Sequence, residues 1–384
     1  MKNAIYFTLI LFTFAGCIEP YHIDIATIDK LLVVEGIITS GTTKITLCET
    51  VGINDLIYGG NFPAVNAARV YVESEDGARS PVAVSSGQGV YLIETGELNT
   101  DTKYKLVILL AGEEYHSSYL APAISPPLIV TYEVNDFNID IYITTHGYKN
   151  QPGYYIWSYE EDWEMTAYVK GQWAMIDGEL VPNDIYTPNN RYICWKSSNS
   201  KDLILATTEK LSENSIIGKK IKTFSRIDDR ASTLYRIKVK QNTIHKEAYD
   251  FFNNLKKNNE QTGSIFGAIP SEIQGNIRCI SNPDISVIGY VDVSTSSIGE
   301  LFVGGEYFNK TSFDAISGAC AHIDALVILP YPNPESIPSD FILYSIQEMP
   351  GPPSPMYYYI SHKCVDCTLI GGTKKRPDDW PNVH

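Results

Sequence analysis

The sequence predicts a mainly β protein, an N-terminal immunoglobulin-like β-sandwich followed by a larger β-rich domain with one short helix. Three observations lead there. Short runs of β-branched and aromatic residues alternate with turn clusters, roughly every 8 to 12 residues. A proline-rich crossing, "APAISPPLI" at 121–129, separates two groups of such runs. One segment, "HKEAYDFFNNLKKNNEQTG", carries a helical stripe instead of an alternating one.

The chain opens "MKNAIYFTLILFTFAGCIEP": Lys2, an apolar run from Ala4 to Phe14, the small residues Ala15 and Gly16, then Cys17. A charged start, an apolar stretch too short to cross a bilayer and a small-residue cleavage point make residues 1–16 a secretory signal. A cysteine directly after the small pair is the lipoprotein form of that signal. Cleavage before Cys17 leaves it as an acylated N-terminus, and each buried CH₂ of its chains contributes about 0.8 kcal/mol to membrane binding. Phe14 stands where such signals usually carry leucine, so the competing reading is an ordinary signal with a coincidental cysteine. No later stretch has the roughly 20 apolar residues of a membrane-spanning helix. The expected arrangement is a soluble body held to a lipid bilayer through acylated Cys17, with residues 17–30 as its tether.

With 384 residues, 44% of them hydrophobic, the chain is long enough for two or more domains with real cores. A formal net charge of −15 argues against nucleic acid as a partner, since phosphate backbones call for concentrated Lys and Arg. Besides Cys17 there are Cys48, Cys194, Cys279, Cys320, Cys364 and Cys367. An even number in an exported chain permits disulfides, and the sequence leaves their pairing open.

Residues 31–122 form the first expected domain. "KLLVVEGIITSGTTKITLCETVG" supplies two strands around Gly41, and Asp76-Gly77 sits between alternating runs as a hairpin tip. Leu98 followed by Tyr104, Leu106 and Ile108 has the pattern of the immunoglobulin-like corner where a tyrosine hydroxyl ties a loop to the backbone. Pro122, Pro126 and Pro127 stop ladder pairing and mark the boundary. The second domain, 127–384, contains strands such as "IDIYITTH", "YYIWSYEEDWEMTAYV", "LYRIKVKQ" and "DISVIGYVDVS". Its helix puts Ala248, Phe251, Phe252 and Leu255 on one stripe, for about three turns, with Gly263 beyond.

The stretch at 154–169 is the most distinctive candidate site. Its odd positions, Tyr155, Trp157, Tyr159, Glu161, Trp163 and Met165, gather aromatic mass, while its even positions gather acids. Three readings compete: a packed sandwich strand, an aromatic binding surface, or a carboxylate pair of the glycosidase kind. A carboxylate pair is defined by separation in space, so packing is favoured. Tyr154, Trp163, Trp173 and Trp195 are the aromatics a binding surface would use.

"CVDC" at 364–367 has thioredoxin-like spacing but no strand-to-helix setting, which favours structural disulfides from this pair to Cys320 or Cys194. Cys320, His322, His362, Cys364 and Cys367 contain enough soft ligands for zinc, but exported thiols are usually oxidised. Arg236, Lys238 and Lys240 alternate on one strand and read as a solvated face. Phosphate-loop, nucleophile-elbow, zinc-protease and calcium-loop patterns do not occur, so no catalytic residue, metal ligand or cofactor is assigned.

Several stretches together resemble a known family. "CIEPYHIDIATIDKLLVVEGIIT", "YYIWSYEEDWEM", "CWKS", the "GNI…NP…VIGY" block and the terminal "CVDC…GGT…PDDW" are similar, in this order, to the Bacteroidetes lipoproteins known as domain of unknown function 4249. Cys48 and Cys279 depart from that pattern. The resemblance implies an outer-membrane lipoprotein working beside a TonB-dependent transporter, with no reaction or substrate attached. The expectation is therefore a non-catalytic binding or accessory component of nutrient uptake. A purely structural surface lipoprotein and a hydrolase of glycan or peptide are the alternatives.

Overall fold

A computed structural model describes residues 30–50, 62–148, 151–177, 179–183, 190–261, 275–304, 320, 326–329, 339–348, 350–351 and 355–381. The expected signal at 1–16, Cys17, the tether up to residue 29, Gly263 and His322 lie outside the described residues. What is described is mainly β, as expected.

The first body is a sandwich of two four-stranded sheets. β1 (Leu32–Ile38), β2 (Gly41–Glu49) and β4 (Val90–Gly96) pair in one sheet; β3 (Arg69–Ser74), β5 (Tyr104–Leu110) and β6 (Glu113–Ser117) pair in the other. Alternation drives the assembly: Val34 and Ile38, Ile45 and Leu47, and Tyr91 and Ile93 turn inward from the first sheet. Val70, Val72, Leu106, Ile108 and Tyr115 meet them from the second. Asp76-Gly77 makes the turn after β3, with the Gly77 amide donating to the Ser74 carbonyl at 2.9 Å. At the predicted corner the Asn99 amide donates to the Tyr104 hydroxyl at 2.8 Å.

Both sheets are completed from the stretch expected to be the second domain. β17 (Val287–Val293) lies parallel to β1, and β16 (Ile277–Cys279) lies antiparallel to β6. The first body is therefore built from 31–122 together with residues near 275–293, a pairing that no local pattern announces because its partners lie so far apart.

The "GNI…VIGY" block now has a physical role. Asn276 acts like a piece of strand: its Nδ2 donates to the Val291 carbonyl at 2.8 Å and its Oδ1 accepts from the Val291 amide at 2.9 Å. Gly289 adopts φ +137°, and a Cβ there would sit 2.0 Å from the Val34 carbonyl oxygen, so β1 and β17 approach as they do only because the residue is glycine.

The second body stacks a three-stranded sheet of β7 (Leu128–Val134), β8 (Asn138–His146) and β14 (Ser215–Ser225) on a five-stranded one. The larger sheet holds β9 (Tyr154–Thr166), β12 (Ile193–Asn199), β13 (Ile204–Thr207), β15 (Leu234–Thr243) and β18 (Ser296–Gly304). Every odd position from Tyr155 to Met165 is at most 7% exposed, packed with Ile139, Ile141 and Ile143 of β8. Packing is thus the role of the aromatic face.

Beside it lie the hairpin of β10 (Trp173–Ile176) with β11 (Glu179–Pro182), and a sheet of β19 (Leu326–Leu329), β20 (Phe341–Gln347) and β21 (Met356–Ser361). A one-turn helix, α2 (His362–Val365), follows β21. Cys364 and Cys367 do not pair with each other: Cys364 joins Cys320 and Cys367 joins Cys194, with Cα atoms 5.7 and 5.8 Å apart. Cys48 and Cys279 are free thiols. The longer helix, α1 (Lys246–Gln261), spans 16 residues and outruns the predicted three turns.

Replacing Asn276 by alanine strips Val291 of both side-chain hydrogen bonds and is expected to cost about 2 kcal/mol. Urea unfolding of the two proteins measures this; a difference under about 0.5 kcal/mol, the scatter of ordinary surface changes, would show that β17 holds without the amide.

Candidate functional site

α1 is wedged between the two bodies. Its Ala248, Phe251 and Phe252 pack with Ile37 and Tyr290 of the first body and with Tyr154, Ile156 and Leu205 of the second. Beside this shared core the surfaces part and leave a cavity of about 420 Å³. Val33, Ile37 and Ile288 form one wall, Ile156 and Trp157 another, and Phe251, Phe252 and Leu255 a third. Ser158, Ser200, Asn242, Glu35 and Asp202 add polar groups. A concave, mostly apolar space of this size with a few polar groups is the usual form of a small-molecule site.

β1 can serve as a wall because it is apolar on both faces. Val34 and Ile38 enter the sandwich core, while Val33 and Ile37 turn toward the cleft. The "LLVVEGII" run carried that signal, since a strand wetted on one face would alternate with polar residues.

The helix is fastened to the first body at its start. Buried Asp292 of β17 accepts from the His245 amide at 2.7 Å and from its Nδ1 at 2.6 Å. The hydrogen bond to this carboxylate, opposed by burial, raises the imidazole pKa above its ordinary 6.5. A cation favoured in the folded state stabilises it fully at pH below the unfolded pKa, and the benefit is lost as pH rises through the raised folded value. From pH 6 to pH 9, about the range spanning such a titration, the wild type should lose stability relative to His245→Asn. Thermal unfolding across this range tests the expectation; parallel profiles would show that the charge on His245 contributes nothing.

The acids of β9 are held in structural pairs. Glu161, 1% exposed, accepts from Lys222 Nζ at 3.0 Å, Arg230 Nε at 3.1 Å and the Tyr235 hydroxyl at 2.8 Å. Arg230 also lies 4.4 Å from the centre of the Trp163 ring. Burial, with the Glu161 charge adding to it, pushes the Tyr235 phenol far above its ordinary range. Asp162 pairs with Arg236 at 2.6 Å, and Glu164 accepts from the Trp380 indole at 3.3 Å. Arg236, expected on a solvated face, is instead buried between Asp162 and the Asp378 carbonyl. Removing Glu161 leaves partly buried Lys222 without its ion pair and Arg230 with Asp228 alone, so Glu161→Ala should cost about 3 kcal/mol by chemical denaturation. A cost below about 1 kcal/mol would mean that solvent replaces the carboxylate.

The four candidate aromatics do not share a surface. Tyr154 belongs to the core around α1, its ring 5.4 Å from that of Tyr249. Trp163 is buried under Arg230 and offers no open face. Trp173 is half-buried on β10, and half-buried Trp195 on β12 lies under Lys374, 5.7 Å away. Burial and the neighbouring Arg191 charge bring that lysine down to about 8. The terminal motif closes this region: Thr373 pairs with the Trp195 backbone, and a Cβ on Gly372 would sit 2.5 Å from that of Cys194.

Comparison with known proteins adds a family and little else. The solved structure of chitinase ChiA74 from Bacillus thuringiensis is 10% identical over 51% of this chain and 29% of that one, with a TM-score of 0.14. The chain thus spans less than a third of the chitinase, and a likeness this low carries no argument. No curated protein matches. The profile of the family described as "Domain of unknown function (DUF4249)" matches residues 18–298, which take in the β1–β17 pairing, β9 and α1, and stop short of Cys364 and Cys367. With most of its length matched, the chain belongs to the DUF4249 family.

Proposed function

We propose that this protein is a lipid-anchored component of the outer-membrane envelope that binds a ligand without transforming it, as an accessory to a TonB-dependent nutrient-uptake transporter. The observation that carries the binding role is the cavity of about 420 Å³ between the two bodies, walled by β1, β9, β17 and α1. Its apolar walls provide contact area, and Ser158, Ser200 and Asn242 provide groups able to orient a guest. The membrane address is supported by the signal pattern ending at Cys17, and the transporter by the resemblance to lipoproteins of that setting. The tether ends at Lys30, directly before β1, so one wall of the cleft follows the anchor point closely in the chain.

Growing the native host with a labelled fatty acid tests the address. Label is expected on the wild-type protein and absent from Cys17→Ser, with the wild type in the membrane fraction. Gentle detergent extraction should then bring down an outer-membrane transporter with it. An unlabelled, freely soluble wild type overturns the anchor, and a labelled protein that elutes with no transporter overturns the accessory role.

A further inference from the structure

The cleft does not end at its apolar walls. Lys201, Asp202 and Leu203 line it and also line an adjoining cavity of about 560 Å³. That second space has the opposite character: Lys219, Lys220 and Lys256 join Lys201 around it, and Asp202 is its one acid among the described residues. Such a concentration of cations runs against a chain of formal charge −15. Lys220 is neutralised by Asp140 at 3.0 Å. Lys201, Lys219 and Lys256 form no ion pair among the described residues.

Two of these lysines work against each other. Burial lowers the pKa of Lys219, and the neighbouring Lys256 charge lowers it further. Like charges held together in a partly buried space are costly, and an anion between them relieves both the repulsion and the lost hydration. The apolar cleft next door supplies the other half of a recognition site.

We propose that the joined cavities bind an amphipathic anion, its apolar chain or ring lying among Trp157, Phe252 and Leu255 and its carboxylate or phosphate head held by Lys201, Lys219 and Lys256. This rests on the binding role argued above and names its ligand class. A neutral sugar would leave the lysines uncompensated and bring polar groups against the apolar walls. A bare inorganic anion would leave those walls empty.

The full chain, embedded in lipid nanodiscs with empty discs as the blank, is titrated calorimetrically with octanoate, octyl phosphate, octanol and inorganic phosphate. At least one of the two amphipathic anions should saturate at one per protein, and the stronger of them names the head group. Octanol and inorganic phosphate should each bind at least tenfold more weakly. The double variant Lys219→Ala, Lys256→Ala should weaken the anion about tenfold and leave octanol unchanged, and an unaltered thermal midpoint shows that it is folded. Leu255→Ser, at a half-buried helix position, should weaken anion and alcohol alike. Equal affinity for octanol and the stronger of the two anions, failure of both anions to saturate, or a double variant that binds as the wild type does would each overturn the proposal. These readouts do not depend on transporter co-purification, and if Cys17 proves unacylated the same titration is run on the free protein in solution, so they do not depend on the anchor either. Failure here with both intact leaves the envelope role standing, and binding here without them leaves the ligand class standing.

Discussion

Leu32 through Ile38 pair in parallel with Val287 through Val293, and the architecture turns on that ladder. Parallel neighbours need a crossover, and here the crossover is most of the second sandwich together with α1. The first body is therefore complete only when residues 277–293 have returned to it. β17 carries the devices that make the return specific: Gly289 permits close approach to Val34, Val291 is gripped by Asn276, and Asp292 fastens His245 ahead of α1. Ser294 then pairs with Ala123 where the proline-rich segment crosses the other way. Such long-range closure is costly in loop entropy and slow to reach, which explains why so many side chains are committed to securing it.

The cleft is a consequence of this arrangement. Its walls come from β1 and β17 in one body, β9 in the other and the helix between them, so it exists only once the two bodies dock. The docking core, with Phe251 and Phe252 against Tyr290 on one side and Leu205 on the other, holds those walls apart at a set distance. Lys201, Asp202 and Leu203 line both this cleft and the lysine-lined cavity beside it.

Charge is handled in two ways within one fold. Inside, Glu161 and Asp292 are each met by cationic groups, because an isolated buried charge would cost more than the packing around it returns. At the second cavity Lys220 meets Asp140, while Lys201, Lys219 and Lys256 form no ion pair among the described residues. The contrast is informative: where the fold needed charge to be neutral it supplied partners, and where it did not, the imbalance faces open space.

Much of this was legible in residue order. Period two along 154–165 identified the buried face of β9, Leu98 and Tyr104 marked the corner, and the Ala248–Phe251–Phe252 stripe marked the helix. Glu161 was visible as an anomaly, an acid in an aromatic row, but its partners Lys222 and Arg230 lie on other segments and nothing local selects them. "CVDC" pointed to structural bridges, while which cysteine meets which depended on the path of β12 and of the chain around Cys320. Local order determined strands, helix, corner and hairpin, because backbone periodicity and turn chemistry act between neighbours. Tertiary structure alone decided that β17 joins β1 and that a cleft opens beside α1, since both depend on surfaces that meet only after the intervening chain has folded.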